Sequence, residues 1–169
     1  MSETSVSTAA ATYRLRPPHN RLDRRAVLWW AATNLGFGGL VVVAASVANY
    51  FWDWAGLWLP IGLAVVTVLD AVIEPLWRFR VHRWEATDKA VYSLTGWVVR
   101  EWRVAPISRI QTVDAVRGPL ERWLGLATLK VTTASSSGTI DIVGLDAEVA
   151  AELAEKLTEI TQQTPGDAT

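Results

Sequence analysis

Few residues have a type and spacing that could do chemistry. Asp70 and Glu74 stand four apart in an otherwise apolar stretch, and Arg78 continues the same helical row. Two carboxylates on one helix face in apolar surroundings suit a proton or cation site, because an acid within a membrane is costly unless it works or is paired. The same spacing suits a structural role, in which both acids pair with Arg78 or with Arg24 and Arg25. Both lie within about two turns of Trp77, near the end of the apolar run, and that position favours structural pairing. A second group is basic: Arg100, Arg103, Arg109, Arg117 and Arg122, with Lys130 nearby. Each basic residue near an anionic leaflet contributes about 1 kcal/mol, so together they form a candidate surface for lipid headgroups or an acidic partner. Ordinary solvated strand positions are the plain alternative for Arg100 and Lys130.

Other chemistry is poorly represented. The chain has no cysteine, which excludes disulfides, thiolate metal sites and thiol nucleophiles. Its two histidines, His19 and His82, are too few for a His-rich metal site, and His82 reads as a partly exposed strand residue. There is no phosphate loop, dinucleotide fingerprint, HExxH or GxSxG motif. Ser135-Ser136-Ser137 has no histidine near it in sequence and reads as a solvated turn. Asp114, Glu121 and Asp141 have no spacing that selects them as a pair. The expectation is no catalytic residue, no metal site, no cofactor and no enzymatic activity. Nucleic acid is an unsuitable partner, since the basic part is only mildly basic and carries no RNA-binding signature.

The elements that must position these residues are clearer. Of 169 residues 50% are hydrophobic, and ten Trp stand against three Tyr and three Phe. From Ala26 to Trp52 there are 27 residues without a charge, and a second apolar run follows from Trp54 to Trp77. A bilayer core needs about 20 apolar residues, so the runs predict a transmembrane helical hairpin over 26–77, with spans of about 26–52 and 54–77. Trp29, Trp30 and Trp77 mark one interface; Trp52, Trp54 and Trp58 mark the other. The first run is longer than the roughly 7–15 residues of a signal-peptide core, so it reads as an uncleaved anchor. Gly36-Phe37-Gly38-Gly39 inside it would permit close packing against the second helix.

Charge is segmented around this hairpin. Residues 1–25 carry +3, 26–77 carry −3, 78–145 carry +4 and 146–169 carry −5. Arg14, Arg16, Arg21, Arg24 and Arg25 precede the first span; Arg78, Arg80 and Arg83 follow the second. The turn around Asp53 has no basic residue. Lys/Arg bias therefore predicts a multi-pass protein of the cell membrane with N- and C-termini cytoplasmic. Residues 1–25 are then a basic cytoplasmic segment.

From Arg80 onward short alternating runs with turn punctuation predict six antiparallel strands: 81–87, 90–94, 97–104, 107–115, 127–134 and 139–143. A short helical turn over 120–125 closes on Gly125. Asp146 caps a final helix whose stripe, Val149, Leu153, Leu157 and Ile160, should face the sheet. Residues 164–169 read as a disordered tail. The fold class is α+β: a two-helix transmembrane hairpin followed by an antiparallel β half-barrel, over 78–163, capped by a C-terminal amphipathic helix.

Three blocks carry a resemblance: Arg83-Trp84-Glu85-Ala86-Thr87-Asp88, Val104-Ala105-Pro106-Ile107-Ser108-Arg109-Ile110-Gln111-Thr112-Val113, and Gly118-Pro119-Leu120-Glu121-Arg122-Trp123-Leu124-Gly125-Leu126-Ala127. With Gly144-Leu145-Asp146 opening the helix, the chain resembles bacterial pleckstrin-homology (PH) domain membrane proteins of the YdbS-like group over roughly residues 20–162. The resemblance implies a PH-like fold held at the cytoplasmic membrane face and no established activity. Such folds usually have seven strands, one more than the pattern separates. The function expected is a membrane-anchored, non-catalytic interaction module that docks envelope or membrane proteins, or further copies of itself. The alternatives are a small transporter or ion-coupled protein using Asp70 and Glu74, and a sensor of anionic lipid headgroups.

Overall fold

The computed structural model describes residues 18–52, 56–96, 99–134 and 138–163. Arg14, Arg16, the Asp53-Trp54 turn, Trp97, the Ser135–Ser137 loop and the tail 164–169 lie outside the described residues. The chain has two long helices, α1 (Arg25–Trp52) and α2 (Trp58–Val81). At 1.5 Å per residue they measure about 42 and 36 Å, against roughly 30 Å of hydrocarbon. Both are long and apolar enough to cross a membrane. They pack side by side, and a Cβ added to Gly38 would overlap the Thr67 methyl group, so this glycine sets their closest approach. Outward they present Phe37, Leu40, Val43, Val65, Val66 and Leu69. So continuous an apolar surface is unsuited to water and suited to lipid.

At one end of the helix pair lie seven strands, among the described residues, in two antiparallel sheets. The first has the order β1 (Asn20–Arg21), β2 (Arg83–Ala86), β3 (Ala90–Thr95), β4 (Glu101–Pro106); the second has β5 (Ile110–Val116), β6 (Leu126–Thr133), β7 (Thr139–Asp146). The arrangement is the α+β, PH-like one expected. The strand that the sequence pattern lacked is β1. It precedes the helices rather than following them, and Asn20 and Arg21 pair with Trp84 and Arg83. Residues 18–25 are thus part of the sheet domain as well as a basic segment: Leu22 belongs to its core.

A short helix, α3 (Pro119–Leu124), links β5 to β6. Glu121 holds it together, accepting the Gly118 N–H and the Thr128 hydroxyl, both at 2.7 Å. Gly125 ends it in the left-handed region at φ 69°, where glycine is free of the Cβ clash. The last element, α4 (Ala147–Gln163), starts as expected at Asp146, whose Oδ1 accepts the Glu148 N–H at 2.9 Å. Its buried face differs from the expected stripe. Ala147, Ala150 and Leu157 are buried, Leu153 and Ile160 pack beside them, and Val149 is exposed. The small alanines let the helix approach the second sheet closely, which rotates Val149 out.

The core sits between the sheets and α4, around Val91, Leu126, Leu129, Val131, Ile142 and Leu157. The first turns of α1 penetrate it. Ala26 is fully buried and Trp30 is 5% exposed, both within the same cluster. A Cβ on Gly144 (φ 71°) would fall 2.6 Å from the Ala26 Cβ, so β7 presses directly on the helix. Trp30 is therefore not the lipid-interface residue that its place at the start of an apolar run suggested. From Ala31 to Trp52, α1 retains about 33 Å of helix, still enough for a bilayer.

Candidate functional site

Asp70 and Glu74 sit on α2 beneath the domain, and α1 supplies their partner. The Asn34 amide donates to Asp70 Oδ2 at 3.3 Å and to Glu74 Oε2 at 3.1 Å. One turn further, Arg78 pairs with Glu74 Oε1 at 3.1 Å. Glu74 makes the pairing with Arg78 that the spacing allows, Asp70 does not, and neither acid pairs with Arg24 or Arg25. Arg25 turns the other way, donating to the Leu124 carbonyl at 3.1 Å and lying 3.5 Å from both Asp23 and Asp146. It ties the start of α1 to α3 and to the foot of α4. The bridging residue, Asn34, was missed by sequence reasoning, although a lone amide inside an apolar run is a recognisable signal. Pro75 does not end the helix between the acids and Arg78: α2 continues to Val81.

Above this cluster is a junction of rings and charge. The Arg78 guanidinium lies 4.9 Å from the centre of the Trp30 ring, and the His82 imidazole lies 5.6 Å from it. Such stacking suits both the weakly hydrated guanidinium and the indole face. His82 is not a partly exposed strand residue. It caps the end of α2, is 4% exposed, and donates from Nδ1 to the Arg78 carbonyl at 2.9 Å. Burial pushes its pKa below the ordinary value; the bond to the Arg78 carbonyl opposes this and the Arg78 charge adds to it. Arg78, His82, Ser93, Arg103 and Asp141 line a polar cavity of about 270 Å³.

The five candidate arginines do not form one surface. Arg103 is engaged twice, with Glu101 at 2.8 Å and with the Thr139 carbonyl at 2.9 Å, which staples β4 to β7. Arg117 donates to the Ala147 carbonyl at 3.1 Å, holding the start of α4. Arg109 and Arg122 are exposed, on the turn before β5 and on α3. Lys130 lies opposite Asp114 and Asp141 in the strand register. Arg100 lines a different cavity, of about 740 Å³, together with Arg80 and Arg83, which the sequence presented only as topology markers. Among the described residues no cluster of His, Asp or Glu suitable for a metal ion occurs.

Comparison with known proteins agrees with this architecture. The model of a family described as "Bacterial PH domain" matches residues 28–161. The chain is similar to the "UPF0699 transmembrane protein YdbS" of Bacillus subtilis (strain 168), at 28% identity over 137 residues, which covers 76% of this chain and 81% of that protein. No solved structure matches it. The family match begins at Leu28, within α1, and runs into the last turn of α4, so the long helices and strands β2 to β7 fall under one match and β1 precedes it. This chain is a membrane protein and belongs to the bacterial PH domain family.

Proposed function

We propose that the chain is a two-pass membrane protein with both termini in the cytoplasm, and that its PH-like domain is a non-catalytic docking platform for other membrane or envelope proteins or for further copies of itself. The observation behind docking is the open edge of β5. Among the described residues this strand pairs with β6 alone, and Gln111, Thr112, Asp114, Ala115 and Val116 are exposed along it. An edge strand offers backbone donors and acceptors to an incoming strand, a binding mode that needs no catalytic group. The basic flanks on both sides of the hairpin support the orientation, and the description of the Bacillus relative as a transmembrane protein supports insertion in a membrane.

The test uses a photo-crosslinking benzoylphenylalanine at Gln111 or Val116 in the full chain, irradiated in intact membranes, with Glu155 on α4 as reference. Discrete crosslinked products are expected from β5 and none from position 155. An identical set from all three positions would refute docking at this edge. Orientation is read in the same preparation with single cysteines at Ser5, Ala55 and Thr164, in a chain that has no other thiol. An impermeant reagent should label intact cells at position 55 alone; labelling at 5 or 164 overturns the orientation.

A further inference from the structure

The cavity of about 740 Å³ opens where the end of α2 meets the outer face of the first sheet. Its walls are Trp77 and Arg80 from α2, Arg83 and Leu94 from facing positions on β2 and β3, His19 from the segment before β1, and Arg100 from just before β4. The size is that of a small-ligand pocket. Three arginines line it and, among the described residues, no carboxylate does. The nearest acid on β2 is Glu85, two residues from Arg83, which accepts the His19 backbone N–H at 3.3 Å. Arg25, Arg78, Arg103 and Arg117 are all bound to carbonyls or carboxylates of the chain itself. The side chains of Arg80, Arg83 and Arg100, by contrast, make no ion pair or hydrogen bond among the described residues.

Three like charges held together in one concave site repel each other unless an anion joins them, and guanidinium forks match phosphate oxygens in pairs. The depth of the site names the source of that anion. Trp77 is an interfacial residue on a helix that leaves the apolar run, and Arg80 is three residues, about 4.5 Å, further out. This places the indole and Leu94 beside the glycerol region and the guanidinium groups at the level of lipid phosphates.

We propose that this cavity binds the phosphate-bearing headgroup of an anionic glycerophospholipid drawn from the surrounding leaflet. The site rests on the reading that the helix pair spans the bilayer. Inorganic phosphate shares the chemistry of the guanidinium groups and makes no use of the Trp77 and Leu94 walls.

The test is native mass spectrometry of the full chain in detergent, titrated with phosphatidylglycerol, phosphatidylcholine or inorganic phosphate. One bound phosphatidylglycerol is expected, displaced poorly by phosphatidylcholine and by phosphate. Combined Arg80→Gln, Arg83→Gln and Arg100→Gln should weaken it about a hundredfold, at about 1 kcal/mol for each basic residue. Arg109→Gln with Arg122→Gln should leave it unchanged, and Arg100→Gln alone, at an exposed site outside the core, should weaken it several-fold. Equal loss in the Arg109/Arg122 variant, equal binding of phosphatidylcholine, or displacement by phosphate at the lipid's own concentration would each overturn the proposal. Carbonate extraction of membranes separates this from the spanning reading. A chain released by carbonate does not span, whereas a retained chain without headgroup preference lacks only the site.

Discussion

Trp30→Ala probes whether α1 is an anchor attached to the domain or a part of it. Trp30 is 5% exposed, lies under the Arg78 guanidinium at 4.9 Å and is tilted against His82 at 5.6 Å, and it belongs to the same cluster as Leu126 and Leu145. Truncating a buried Trp to Ala costs about 3–5 kcal/mol, against about 5–15 kcal/mol for a whole domain. The opening equilibrium of the sheet should therefore rise roughly 10²- to 10⁴-fold. Hydrogen exchange of the full chain in lipid nanodiscs measures this on the β6 amides, where Leu126, Leu129 and Val131 are fully buried. Trp77→Ala is the control. Trp77 is 50% exposed, and its loss should change β6 protection by no more than about threefold. If Trp30→Ala also stays within threefold, Trp30 faces lipid and the reasoning fails.

The His82 pKa is depressed from 6.5, so between its native value and 6.5 the unfolded chain binds more protons than the native one. Its contribution to stability is complete above pH 6.5 and is lost as pH falls through that window; the melting temperature should drop more steeply from pH 7 to 5.5 in the native chain than in His82→Gln, and parallel curves would contradict this. Asn34→Leu removes both amide contacts to Asp70 and Glu74, at about 0.6–2 kcal/mol for each polar contact between membrane helices, so detergent melting should fall by several degrees. An unchanged melt combined with a lost cellular phenotype would instead make the acids working residues.

What could be read from the sequence followed from patterns that repeat. The charge-free run from Ala26, the alternation in β6 and the cap at Asp146 each have a period or a local chemistry, and each element is found. β1 has two polar residues and therefore no alternation; only its pairing with Trp84 and Arg83 makes it a strand. Trp30 was misplaced because a Trp at the head of an apolar helix gives the same signal whether it faces headgroups or a protein core. The stripe on α4 was mis-set because Val149 looks more apolar than Ala150, while close packing favoured the smaller side chain. Among the arginines, type and spacing do not distinguish Arg103, used on the Thr139 carbonyl, from Arg100, which lines a cavity. That distinction depends on which strands meet, and β4 meets β7 only in the folded chain.

The burial of Ala26 and Trp30 in the sheet domain has a mechanical consequence. A domain on a flexible tether would be indifferent to the slant of its anchor. Here α1 enters the core without a linker, and a single residue, His82, separates α2 from β2, so the two helices grip the domain at two points. Helices adapt to bilayers of different thickness chiefly by tilting. Any tilt of this pair must turn the sheets with it, like a lever about the membrane surface. The direction in which the β5 edge faces then follows the slant of the helix pair, transmitted without a moving part inside the protein.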